Sequence, residues 1–87
     1  MNNINKLKEI FKSNGKVFFK LLSLEYIIEK KDDIVCIYSP TYPNDTRKYN
    51  SIDQLIENFI IYGNNLIDNE DRITNIKELW KITYKKY

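Results

Sequence analysis

Three carboxylates fall within four positions at Asp68-Asn69-Glu70-Asp71, the densest acidic run in the chain. Oxygen ligands at alternate positions suit a calcium loop, and paired carboxylates can divide the acid and base roles of glycoside hydrolysis. Neither chemistry finds its setting here. Counting from Asp68, the sixth position of a calcium loop needs glycine and holds Ile73, and the twelfth needs glutamate and holds Leu79. No carboxylate pair is marked by an apolar environment, so the run reads as a solvated acidic loop. The chain has no histidine, one cysteine (Cys36) and two widely separated glycines, Gly15 and Gly63. A histidine triad, a histidine metal site, a zinc finger and a glycine-rich phosphate loop are therefore excluded. Cys36 lies in the apolar run Ile34–Tyr38, which favours the neutral thiol, and a lone cysteine cannot close an intrachain disulfide. The expectation is a protein with no catalytic residues, no metal and no cofactor.

Two segments carry binding chemistry instead. Thr41–Tyr49 reads as a long irregular loop that sets Arg47 and Lys48 between Tyr42 and Tyr49. Tyrosine and arginine dominate binding hot spots because they offer large, semi-rigid contact area with polar tips. The tail, Trp80–Tyr87, mixes rings with cations, and Lys81, Tyr84, Lys85 and Lys86 suit single-stranded nucleic acid, with bases stacking on rings and lysines neutralising phosphates. Trp80 itself reads as a core anchor.

The elements that must position these residues follow from periodicity. Ile4, Leu7, Ile10 and Phe11 recur at helical spacing and Asn14-Gly15 supplies a stop, predicting a helix over 4–13. Val17–Phe19, Tyr26–Ile28 and Ile34–Tyr38 are β-branched and aromatic, predicting two or three antiparallel strands, although Leu, Lys and Glu across 20–29 also admit a helix. Pro40 and Pro43 keep 39–48 irregular. Ser51-Ile52-Asp53-Gln54 matches a capping box, the following stripe predicts a helix over 51–62, and Gly63 closes it. Residues 64–74 read as a polar loop with a helical turn, followed by a short helix and an edge strand over 79–84. The sum is a single α+β domain over 1–87, with a small three- to four-stranded, mainly antiparallel sheet and two or three helices packed on one face.

Composition sets the class. Eighty-seven residues with 43% hydrophobic and 30% charged side chains can fold around one modest core. No apolar run approaches the roughly 18 residues of a membrane span, and the polar, basic opening Met1–Lys8 is not a secretory signal, so a cytoplasmic protein is expected. The dominance of Ile, Asn, Lys, Tyr and Phe is the residue set of A- and T-rich codons, pointing to an AT-rich bacterial, phage or plasmid genome. The net charge of +2 is unevenly spread, with seven lysines against three glutamates over 1–31 and four basic against nine acidic residues over 32–78. Such asymmetry steers partners without naming them.

The opening Met1-Asn2-Asn3-Ile4-Asn5-Lys6-Leu7-Lys8-Glu9-Ile10, the strands ending near Tyr38 and the capped helix at Ser51–Tyr62 together resemble, in length and layout, the small phage anti-CRISPR proteins that block Cas nucleases. The resemblance implies a non-enzymatic inhibitor of a bacterial defence effector, acting by steric occlusion. Tyr42, Arg47, Lys48 and Tyr49 would then anchor the protein partner while Asp68, Glu70 and Asp71 meet a basic groove, with Asp53 and Glu57 extending the imitation of phosphates. The residues themselves leave two other readings open. One is a small nucleic-acid-binding regulator using the basic ends of the chain, and the other is a homodimer joined edge to edge through an exposed strand.

Overall fold

In Lys16-Val17-Phe18-Phe19-Lys20-Leu21 the alternate residues Val17, Phe19 and Leu21 fall on one side of an extended chain, and all three are fully buried. That segment is the first strand of the computed structural model, which describes residues 3–79. The elements run α1 (Asn3–Asn14), β1 (Lys16–Leu21), β2 (Leu24–Lys31), β3 (Ile34–Ser39), β4 (Tyr42–Tyr49), α2 (Ile52–Asn58), a 3₁₀ turn at Glu70–Arg72 and β5 (Ile73–Glu78). The strands form one five-stranded antiparallel sheet in the order β4-β3-β2-β1-β5. The fold is α+β, with one strand more than the sequence predicts and two α-helices.

Both helices lie on one face of that sheet. Ile4, Leu7 and Phe11 of α1 and Ile52, Leu55 and Ile56 of α2 join Val17, Phe19, Leu21, Ile28, Val35 and Ile37 in a contiguous core. The opposite face of the sheet carries no other described element. Antiparallel sheets can leave one face to solvent because hairpins need no crossover helix.

The antiparallel strands expected through Val17–Phe19, Tyr26–Ile28 and Ile34–Tyr38 are present, and 20–29 takes strand and turn rather than the helix it also admits, since Tyr26 and Ile28 alternate into the core across from Phe19 and Val17. Three expectations are corrected. The segment 39–48 is not an irregular loop: β4 pairs with β3 from Ser39–Tyr42 to Val35–Tyr49. Pro40 falls in the two-residue turn and Pro43 on an edge strand, where a missing N–H need not break a ladder. The helix begins as predicted, with Ser51 Oγ accepting from the Gln54 amide at 3.0 Å, although the Gln54 side chain accepts from the Asn50 amide rather than that of Ser51. It ends at Asn58, before Gly63. Phe59 turns extended (φ −73, ψ 116) to enter the core, and Tyr62 (φ 55) with Gly63 (φ 79) forms a two-residue reversal closed by reciprocal Ile61–Asn64 hydrogen bonds. Finally, the last described strand is Ile73–Glu78, ahead of the predicted 79–84 strand and where a short helix was expected; most of the 79–84 strand lies outside the described residues.

The long connection from Phe59 to Asn69 is organised by one polar residue. Asn69 is fully buried, its Nδ2 donating to the carbonyls of Ile61 (3.0 Å), Asn64 (3.3 Å) and Asn65 (3.0 Å) while its Oδ1 accepts from Arg72 Nη1 (2.8 Å). A buried amide is tolerated when its capacity is met in this way. Asn69 thereby ties the Ile61–Asn64 turn to the 3₁₀ turn, while the Leu66 amide and Asn65 Nδ2 donate to the α2 carbonyls of Ile56 and Glu57 at 3.2 Å each.

Candidate functional site

Where the β3–β4 hairpin meets the chain leaving α2, a cleft of about 120 Å³ opens between Tyr42, Asp45 and Arg47 on one wall and Phe59 and Ile60 on the other. Its volume is well below the roughly 300–1,000 Å³ of sites that hold a small organic ligand or cofactor. The floor is built by alternation. Tyr26 of β2 and Ile37 of β3 point to the helical face, and Arg47, paired with Ile37, shares that face one strand further out.

Rings hold the floor rigid. Phe19 and Tyr26 stack at 5.7 Å between centroids, and Tyr26 meets Phe59 edge to face at 5.5 Å. Burial raises the pKa of Tyr26 above the ordinary 10.0, and the nearby Tyr62 and Asp45 add to the effect through their negative charge. Tyr26 therefore keeps its proton, and a hydroxyl donor, past the pH at which exposed tyrosines ionise. Because its folded pKa lies above the unfolded one, Tyr26 costs the fold nothing below pH 10 and destabilises it as the pH rises through the folded value. In an absorbance titration of the seven tyrosines, Tyr26→Phe is expected to remove a late-ionising group. An unchanged curve would show that Tyr26 is not shielded.

The rim is exposed and apolar: Tyr42 (67% exposed) and Ile60 (60%) are the two most exposed large hydrophobic side chains among the described residues. Arg47 Nε lies 3.8 Å from Asp45 Oδ1, both side chains well exposed, a pair contributing about 0–1 kcal/mol that leaves both charges accessible.

The predicted partner-binding residues separate. Tyr42 and Arg47 reach the cleft, Tyr49 packs half-buried against the core, and Lys48, opposite Cys36, stands on the uncovered face of the sheet. The acidic run lies away from them. Glu70 and Asp71 lead into β5, at the opposite edge of the sheet from β4. Glu70 is engaged structurally: Oε2 accepts from the Ile4 amide (3.2 Å) and its carbonyl from Asn3 Nδ2 (3.2 Å), a carboxylate at the N-terminus of α1 where the helix dipole favours it. The Asp68 amide donates to Asn65 Oδ1 (2.9 Å). Asp53 pairs with Lys8 at 2.8 Å, joining α2 to α1, and that hydrogen bond and charge hold its carboxyl below the usual carboxylate range. Lys81, Tyr84, Lys85 and Lys86 lie outside the described residues.

Ile60 is a cleft residue that the sequence reading placed inside a helix; the signal that could have found it is Tyr62-Gly63, a turn pair where the helix was continued. Among the described residues, no three cysteine or acidic side chains gather so as to hold a metal ion, and no helix is long and apolar enough to cross a membrane. No family model, curated protein or solved structure matches this chain.

Proposed function

We propose that this chain is a non-enzymatic binding protein that acts by occupying a surface of a protein partner. The observation that carries this reading is the pair of exposed apolar side chains, Tyr42 and Ile60, bordering a cleft that also offers Arg47 and Asp45. Exposed apolar residues standing singly need no explanation, but a group of them rimmed by charge is the composition of a contact surface. A cleft this small suits one inserted side chain better than a metabolite. The layout resemblance to phage anti-CRISPR proteins makes a Cas nuclease the first partner to test, with occlusion of its substrate path as the mode of inhibition.

The same geometry weighs against edge-to-edge pairing of two copies through β4. Pro43, Asp45, Arg47 and Lys48 line that strand, and proline with charge is how an exposed edge is protected from another strand.

The test is cleavage by purified Cas effectors with and without the protein, together with direct affinity measurement. Combined Tyr42→Ala and Arg47→Ala substitution is expected to weaken partner binding by about thirtyfold or more, the hot-spot scale, while the melting temperature stays within about 4 °C. Unchanged affinity would remove the cleft from the contact. Failure to inhibit any Cas effector would remove the defence-effector assignment.

A further inference from the structure

The uncovered face of the sheet has its own chemistry, distinct from the cleft. Phe18, Ile27 and Tyr38 stand directly opposite one another across β1, β2 and β3, all half-buried. Lys77 of β5 pairs with Phe18 from the other side, its Nζ 5.1 Å from the ring centroid. The neighbouring row reads Lys16, Glu29, Cys36 and Lys48 across β1 to β4. Lys20 and Lys31 occupy the same face by alternation along β1 and β2. Five lysines thus surround the two rings.

The carboxylates on this face are Glu25 and Glu29. Glu29 is already occupied, lying 3.8 Å from Lys16 Nζ and accepting from the Tyr38 hydroxyl at 3.1 Å. The face is therefore cationic, although the chain as a whole is nearly neutral. A second copy of the same face would be repelled. A ligand that satisfies it must offer flat apolar groups to the rings and anionic groups to the lysines at once.

We propose that this face binds single-stranded nucleic acid, bases stacking on Phe18 and Tyr38 and phosphates meeting Lys20, Lys31, Lys48 and Lys77. Phe18 and Tyr38 are two strands apart, about 10 Å, so they serve two separate bases of one strand. The lysine over Phe18 is no obstacle. An exposed cation–π contact contributes about 0.5–1 kcal/mol, less than the roughly 1–3 kcal/mol of a stacked base, and the displaced ammonium gains a phosphate. Duplexes hide their base faces and can use only the lysines.

The test is fluorescence anisotropy of a labelled oligothymidine of about 12 nucleotides, beside a duplex of equal length, with the full chain. Raising salt from about 50 to about 200 mM should weaken single-strand binding roughly fiftyfold if each of the four lysines neutralises one phosphate. Lys48→Glu and Lys77→Glu should each weaken it about tenfold or more and flatten the salt slope. Phe18→Leu, which keeps an apolar side chain for folding, should cost about tenfold at unchanged slope. Tyr42→Ala with Arg47→Ala should leave it unaltered, which separates this inference from the proposed protein contact. The inference is overturned by absence of binding at about 100 μM, by a duplex binding as tightly, or by loss confined to Lys85→Gln with Lys86→Gln. An acidic protein that needs the lysines but tolerates Phe18→Leu, with no oligonucleotide bound, would likewise replace nucleic acid as the ligand.

Discussion

Asn69→Asp is expected to destabilise the fold by about 3 kcal/mol or more at neutral pH, lowering the melting temperature by roughly 12 °C or more. The substitution changes almost no volume, so packing cannot account for such a loss. What changes is the sign of the interaction with three carbonyls. The amide donates to Ile61, Asn64 and Asn65, whereas a carboxylate would set an oxygen against all three in a fully buried site. Protonation would restore one donor at most. Arg72 Nη1, which now donates to Asn69 Oδ1, would gain an ionic partner, one charge-assisted bond of about 1.5–3 kcal/mol. The three carbonyls keep their backbone donors, but an anion set against their oxygens and buried away from water outweighs that gain. The introduced acid titrates above its unfolded value, so the variant should regain stability as pH falls toward 4. Thermal melts of Asn69→Asp and Asn69→Ala at two pH values check this. A melting temperature within about 4 °C of the parent, or a loss independent of pH in Asn69→Asp, would show that the network does not hold the connection.

The same residue shows where legibility ended. Within Asp68-Asn69-Glu70-Asp71 every side chain is polar, and a sequence reading assigns the whole run to solvent. Burial of Asn69 depends on three carbonyls brought together by a turn eight residues upstream, which no local pattern encodes. The capping box at Ser51 was legible because cap and partner lie within one helical turn. The end of that helix was not, since the apolar stripe Ile52-Leu55-Ile56-Phe59 continues in helical spacing while Phe59 itself has left the helix. Its position is decided by Tyr26, more than thirty residues earlier in the chain. Likewise Pro40 and Pro43 carry a strong local signal against regular structure, and tertiary pairing with β3 overrides it at a sheet edge. The β-branched and aromatic runs did reveal the strands through Val17–Phe19 and Ile34–Tyr38, but nothing local could say which residues of 41–49 share a face until the register was fixed. Arg47 and Lys48 therefore appeared as one cluster, although they stand on opposite sides of the sheet.

Phe59→Ala is expected to cost about 3–5 kcal/mol, the range for removing a buried phenylalanine, in a domain whose total stability by size is of order 4–13 kcal/mol. Phe59 is 8% exposed and closes the core beneath the end of α2, so its removal opens a void that the cleft above would flood. A fall in melting temperature of roughly 15 °C or more should follow. Phe59→Leu separates the causes. It keeps most of the apolar volume and loses the edge-to-face contact with Tyr26, a specific contribution of about 0.5–1.5 kcal/mol. Should Phe59→Ala melt within about 5 °C of the parent, the aromatic floor would not be structural. Phe59→Leu then becomes the informative variant for binding, because it remains folded while the floor of the cleft changes shape. If a partner inserts a side chain there, affinity should fall in Phe59→Leu and in Tyr42→Ala, but only the first should also lower stability. Two variants that separate stability from affinity in this way distinguish a contact built on the cleft from one that merely borders it.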